Sequence, residues 1–232
     1  MPIPNRRAAG SRIDGSYEMP KTTFGQLPDR QKKKIVRVCT RLFATHGYAH
    51  TSLKMINKDL RVADGYLYYY FDGKEDLTKW VIDRGLEIAQ EHFEKHVTEK
   101  KPEGLYEFYK LAVLQGVRFI RDFPDLYGAY SQLVNEPNLP LADWLAEKIA
   151  WIDGYYREAI DREVEQGRVR SDLPPNLVVM LLDVVNTRIQ EFVFRPELDP
   201  LGVASMEEDA LAELVDKLIA VFRRGLRPAS GA

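Results

Sequence analysis

The sequence predicts an all-α protein of about nine helices. Strand-like alternation bounded by turn residues is almost absent from the 232 residues, whereas apolar residues return at helical spacing throughout. Prolines and glycines fall where such segments would start and stop. Pro28 opens the first helix, whose apolar positions Ile35, Val38, Leu42 and Phe43 share a face; it runs to about His46, and Gly47 ends it. Thr51 or Ser52 caps a short second helix that turns Leu53 and Ile56 inward. A tyrosine-rich segment follows, and Gly73 precedes a fourth helix with Glu75 and Asp76 in its first turn, where the helix dipole favours acids.

Five more helices complete the expected set. Residues 103–121 carry Leu105, Tyr109, Ala112, Gly116 and Ile120 on one side, and Pro124 starts a shorter helix to about Asn135. Pro140 starts a long one, with Leu141, Leu145, Ile149, Ile152, Tyr156 and Ile160 on one stripe, ended by Gly167. Pro174 and Pro175 introduce a helix that closes before Pro196. The last begins at a Ser205–Glu208 capping box and repeats Leu211, Leu214, Val215, Leu218, Ile219 and Phe222 up to Gly225.

Charge divides the chain. The formal net charge is −2, which argues against a polyanion binder as a whole. Residues 28–77, however, hold ten Lys or Arg against six Asp or Glu, a net of +4, and residues 78–232 hold nineteen against twenty-seven, a net of −8. A basic first third on an acidic remainder suggests a nucleic-acid-binding module on an unrelated body. The single cysteine, Cys39, forms no intramolecular disulfide, fits a reducing cytosol and alternates with apolar residues as a core position would. No apolar run approaches the ~18 residues of a membrane span, so no membrane partner and a cytoplasmic location are expected. Residues 1–27 lack a signal-peptide h-region and read as a flexible arm. Arg6, Arg7, Arg12 and Lys21 give that arm the charge to reach a minor groove; a plain disordered tail explains it as well.

Three short helices followed by a long one, the third in basic sequence, form the pattern of a helix-turn-helix module. The run IVRVCTRLFATHGYAHTSLKMINKDLRVADGYLYYYFDGKEDL resembles the N-terminal domain of the tetracycline-repressor (TetR) family of bacterial transcription regulators, over about residues 30–77. The resemblance lies in LF followed by HGY, in TS with Ile56 beyond it, and in Val62, Gly65, Leu67, Tyr68, Tyr70, Phe71, Lys74, Glu75 and Leu77. Two positions depart from it: Asn57 stands where family members usually carry Ala, and Arg61 where they carry Gly. Arginine accepts a positive φ less easily than glycine, so the turn is expected to differ slightly.

The resemblance implies DNA contacts at Ser52, Lys54, Asp64, Gly65, Tyr66, Tyr68, Tyr69, Tyr70 and Lys74. The residue chemistry agrees. Leu67 and Phe71, four apart, make the inward face of a recognition helix, leaving phenols for the groove. Phenols donate to phosphate oxygens and touch thymine methyl groups. Gly65 lets the backbone approach DNA, and Lys74 joins the N-terminal N–H groups of the fourth helix in a phosphate site. Asp64 either accepts from a cytosine amine or caps the recognition helix. The competing reading of the tyrosines is an aromatic core plug.

Residues 78–232 are expected to form a ligand-binding and dimerisation domain, as the family's C-terminal helices do. Ligand contacts are expected at Tyr109, Phe119, Trp151, Tyr155, Asn186 and Gln190. Asp183, Asn186, Thr187 and Gln190 share one stripe, which suits either pocket polar groups or a solvent-facing edge. Aromatic walls with few charges favour a flat or lipophilic effector over a sugar or nucleotide. Leu177 to Leu182 is apolar without interruption, so that helix needs cover on every side, and a second subunit supplies what one core does not. His92 and His96 have chelating spacing, but no third ligand follows, and no metal or cofactor is expected. No Gly-rich phosphate loop or G-x-S-x-G elbow points to an enzyme. The expectation is thus a ligand-responsive regulator, a repressor more readily than an activator, binding a palindromic operator as a homodimer. The alternative is an all-α small-molecule-binding protein or enzyme whose N-terminal helices are only structural.

Overall fold

The computed structural model describes residues 22–227, and among them every regular element is helical. The ten α-helices are α1 (Asp29–His50), α2 (Leu53–Leu60), α3 (Tyr66–Tyr70), α4 (Lys74–His96), α5 (Leu105–Asp122), α6 (Pro124–Val134), α7 (Ala142–Ile149), α8 (Trp151–Glu165), α9 (Pro175–Phe194) and α10 (Glu208–Leu226). They form two compact units. The first comprises residues 22–90 and 123–149, the second residues 91–122 and 150–227. In this division α6 and α7 share the core of the helix-turn-helix region.

That first core explains why. Ile35, Val38, Leu42 and Phe43 of α1 are buried with Leu53, Ile56 and Leu60 of α2, and α6 packs along α1 with Ala129 and Leu133 in the same cluster. Cys39 is fully buried there, and burial pushes its thiol pKa up. Gly47 interrupts α1 as expected, at φ 71, so the regular helix ends at the predicted place. The arm expected through residue 27 is shorter at its inner end. Thr22–Gln26 is a 3₁₀ turn, and Phe24 and Leu27 are buried against α3 and α4; the arm's basic residues lie outside the described part of the chain.

The long helix expected from Pro140 to Gly167 is two. Leu141, Leu145 and Ile149 belong to the first core, Tyr156 and Ile160 to the second. One straight stripe cannot serve two cores, and the helix is interrupted at Ala150. In the second unit α5 lies against α8, α9 and α10. Gly116 of α5 permits this closeness, since a Cβ there would fall 2.7 Å from the Gln190 amide of α9. The Ser205–Glu208 capping box does not form. Ser205 ends a 3₁₀ turn and donates instead to the Gly202 carbonyl, while Glu207 takes the N-cap position of α10.

The turn after α2 is closed by Arg61 in the left-handed conformation, φ 58 and ψ 49, with its N–H bonded to the Asn57 and Lys58 carbonyls. Arginine thus adopts the geometry that glycine would take, at a conformational cost of about 1 kcal/mol. Arg61→Gly is expected to recover that amount and raise the thermal midpoint by about 2–4 °C. A melting curve that is unchanged or lowered would show that the Arg61 side chain offsets its backbone strain.

Candidate nucleic-acid interface

The interface is built from the α2–α3 turn, α3 and the start of α4. Ser52 is the N-cap of α2, its Oγ accepting from the Met55 N–H at 3.2 Å. Thr51, the other candidate, is buried and donates to the Gly47 and Leu42 carbonyls, which fastens the end of α1. Two further ties hold α1 to α2: Lys34 donates to the Leu60 carbonyl at 2.7 Å, and Arg41 pairs with Asp59 at 2.6 Å.

Helix α3 has only five residues. Leu67 and Phe71 are completely buried, the inward pair that the spacing foretold. The phenols then divide. Tyr68 and Tyr69 are 58% and 62% exposed, whereas Tyr66 and Tyr70 are half-buried. Tyr66 donates to Gln31 of α1 at 2.8 Å, and its ring meets Tyr70 edge-on at 5.2 Å. Tyr70 meets Phe24 at 5.7 Å. Burial, with the neighbouring Tyr70, holds the Tyr66 pKa above its usual value, so this phenol stays protonated. Both readings of the tyrosine cluster are thereby realised in part: two rings buttress the helix and two stand out from it.

Ser52, Lys54, Asp64 and Gly65 are exposed beside them. Gly65 is the N-cap of α3 and no side chain caps it, so Asp64 does not play that role. Lys74 differs from its expected picture. Its ammonium donates to the Tyr48 carbonyl at 2.9 Å and lies 4.0 Å from the centre of the Tyr48 ring. Burial depresses its pKa, with Glu136 acting in the opposite sense. The Lys74 charge is therefore held within the first unit rather than presented freely. Sequence reasoning missed Tyr48 in this role, along with Gln31 and Phe24, because each acts from a distant element. Asn57 was noticed only as a departure; it is fully buried and donates to the Asp64 carbonyl at 2.5 Å.

The residues expected to hold a ligand belong to the second unit. Tyr109 is fully buried, edge-on to Phe222 at 5.6 Å, and burial raises its pKa. Phe119 lies 5.3 Å from His92, and Tyr155 lies 5.3 Å from Phe93. Asn186 is buried and accepts from Gln190 at 3.3 Å, so that part of the polar stripe faces inward; Thr187 is exposed. The Trp151 side chain lies outside the described residues. The second unit also has an open cleft of about 1340 Å³ lined by Tyr106, Glu163, Arg168, Asp216 and Arg223 among others, and by none of the six expected residues. His92 and His96 stack at 4.6 Å, and among the described residues no group of three or more His, Cys, Asp or Glu side chains could hold a metal. No helix among them is long and apolar enough to cross a membrane.

Two short helices meeting at a tight turn, the second buried on one face and bearing phenols on the other, define a helix-turn-helix DNA-binding protein. Residues 35–79 match the family described as bacterial regulatory proteins, tetR family. The HTH-type transcriptional repressor AcnR of Corynebacterium glutamicum is 22% identical over 161 residues, 69% of this chain and 80% of that protein. A TetR family transcriptional regulator from Chloroflexus aurantiacus superimposes with a TM-score of 0.73 at 20% identity, covering 91% of this chain and all of the other. The transcriptional regulator FadR of Bacillus subtilis, solved with stearoyl-CoA, gives 0.65 at 18% identity over 79% of this chain and 97% of its own. Residues 35–79 thus carry a helix-turn-helix region similar to that of the tetR family, and the chain shares its overall helical fold with TetR-type transcriptional regulators.

Because α3 is too short to persist alone, its anchor should be decisive. Leu67→Ala is expected to destabilise the first unit by about 2–5 kcal/mol and to abolish DNA binding before the protein as a whole unfolds. Urea denaturation with a mobility-shift titration at each denaturant concentration checks both parts.

Proposed function

We propose that the protein is a ligand-responsive repressor that binds a palindromic operator as a homodimer and leaves it when a lipophilic effector occupies the helical body. The observation that carries the reading is the division of the phenols: Tyr68 and Tyr69 stand exposed on a helix whose opposite face is locked into the core. Tyr68 and Tyr69 read the major groove through thymine methyl groups and base edges. Tyr66 and Tyr70 hold their neighbours in place and touch DNA at the edge of the contact. Ser52 and Lys54, exposed at the start of α2, take phosphates, and Gly65 lets the turn come close beside Asp64. Lys74 supports the backbone at Tyr48 and contributes to the phosphate field from behind.

The homodimer is supported by an apolar strip that one chain leaves uncovered. On α9, Leu177, Met180, Leu181 and Val184 are exposed, as is Val221 on α10 at 68%. A second copy covers such a strip and holds two recognition helices about 34 Å apart, one turn of DNA. A lipophilic effector is supported by the aromatic content of the second unit, and FadR, similar in fold, was solved with an acyl thioester. The effector acts by binding the DNA-incompetent arrangement more tightly than the competent one.

A mobility-shift titration with DNA flanking the gene tests the core of the reading; absence of a sequence-dependent shift sinks it and leaves a helical binding protein. Lys54→Ala should weaken binding to all duplexes and reduce the salt slope by about one. Lys74→Ala should change the slope less, since its charge is already engaged, and an equal or larger change would return Lys74 to the phosphate contacts. Val184→Arg should leave the subunit folded but weaken the dimer by about 2 kcal/mol, roughly 30-fold, in sedimentation equilibrium. If a compound raises the melting temperature, it should release operator with the same apparent affinity; stabilisers that never affect DNA binding would remove the effector role.

A further inference from the structure

The turn between α2 and α3 carries a polar side chain where the surrounding core is apolar. Asn57 is fully buried among Leu53, Ile56 and Leu60 of its own helix. It grips the turn at three points. Its backbone carbonyl accepts from the Arg61 and Val62 N–H groups, and its Nδ2 donates to the Asp64 carbonyl at 2.5 Å. The amide can face only this way, because its other atom would set an acceptor against an acceptor.

The clamp meets a specific need. Helix α3 follows Gly65, which offers no side-chain cap, and the bonds that join it to the turn include the Tyr66 N–H to the Ala63 carbonyl at 2.9 Å and the Tyr69 N–H to the Gly65 carbonyl at 3.3 Å. The angle at which this helix leaves the turn depends also on its link back to α2. Asn57 fixes it from behind, one residue before the N-cap. The arrangement has a drawback that an apolar residue would avoid: the Asn57 Oδ1 is buried with no hydrogen-bond partner. A group that adds an unsatisfied acceptor to the core while spanning the one turn that aims the exposed phenols is better explained by geometry than by stability.

We propose that Asn57 is a positioning residue for DNA recognition, clamping the backbone at Asp64 and so setting the angle at which Tyr68 and Tyr69 are presented to the duplex. It does not touch DNA, since no part of it reaches the surface. The inference rests on α3 being the recognition helix.

The test uses the full chain with two variants, Asn57→Ala and Asn57→Ser, neither of which can span the turn. The wild-type protein first selects a duplex from a random-sequence pool, and a scrambled duplex of equal length is the control. Both variants should melt within about 5 °C of the wild type, because loss of the orphan acceptor partly offsets the lost hydrogen bond and the small cavity. Their affinity for the selected duplex should fall by about tenfold, the size of one mis-set base contact. Affinity for the scrambled duplex, which depends on phosphates, should change by less than about threefold. Amide hydrogen exchange at Tyr66 and Leu67 should quicken in the free variants. An unchanged ratio of selected to scrambled affinity overturns the clamp and leaves the recognition helix in place. So does a melting temperature lowered by more than about 5 °C with both affinities falling together, which is the signature of a merely structural residue. A wild-type chain that enriches no duplex removes the reading of α3, and the clamp with it.

Discussion

Burial of Leu67 and Phe71 beneath a helix of five residues is the constraint on which the rest of the DNA-facing surface depends. So short a segment cannot repay the entropy of its own nucleation, and its backbone bonds give it no preferred direction. Its seat is set mainly by what receives those two side chains: α1 and α2 beneath, with Phe24 and Trp80 around Phe71. Once the inward pair is fixed, helical geometry decides what every other residue does. Tyr68 and Tyr69 must face away, and Tyr66 and Tyr70 must lie along the flanks, where Gln31 and Phe24 meet them.

The same dependence explains the ties around the module. The Lys34 bond to the Leu60 carbonyl, the Arg41–Asp59 pair and the Thr51 hydroxyl all act on helix ends, where backbone groups lack partners. Each adds little by itself, and the exposed pair adds least. Together they fix the ends of α1 and α2 and hence the floor on which α3 rests. Lys74 belongs to this group as much as to any phosphate site, since its ammonium satisfies the carbonyl just beyond the break at Gly47.

The second unit is organised on a different principle. α5 lies against three helices, so Tyr109 is enclosed, and at Gly116 the Gln190 amide comes so close that a Cβ would have to push it aside. Polar groups such as Asn186 and Gln190 satisfy one another inside this packing. Aromatic content alone therefore does not mark a pocket, since some of these rings are core and others line its edge.

The sequence by itself determined the all-α class, the helix-turn-helix order, the stop at Gly47 and the inward pair Leu67 and Phe71. These follow from spacing and from backbone preference, which are local and need no knowledge of distant residues. It also determined that the tyrosine segment had an exposed side, because two apolar positions four apart occupy only one face. Only the tertiary structure decided which phenols are exposed, that Asn57 clamps the turn, that Lys74 is engaged by Tyr48, and that Arg61 accepts a left-handed conformation. It decided too that one apolar stripe is cut at Ala150 between two cores, and that residues 123–149 join the first unit. In each case the deciding partner lies on another element. A periodic pattern states that a residue is buried, but the identity of what buries it is set by packing across the fold.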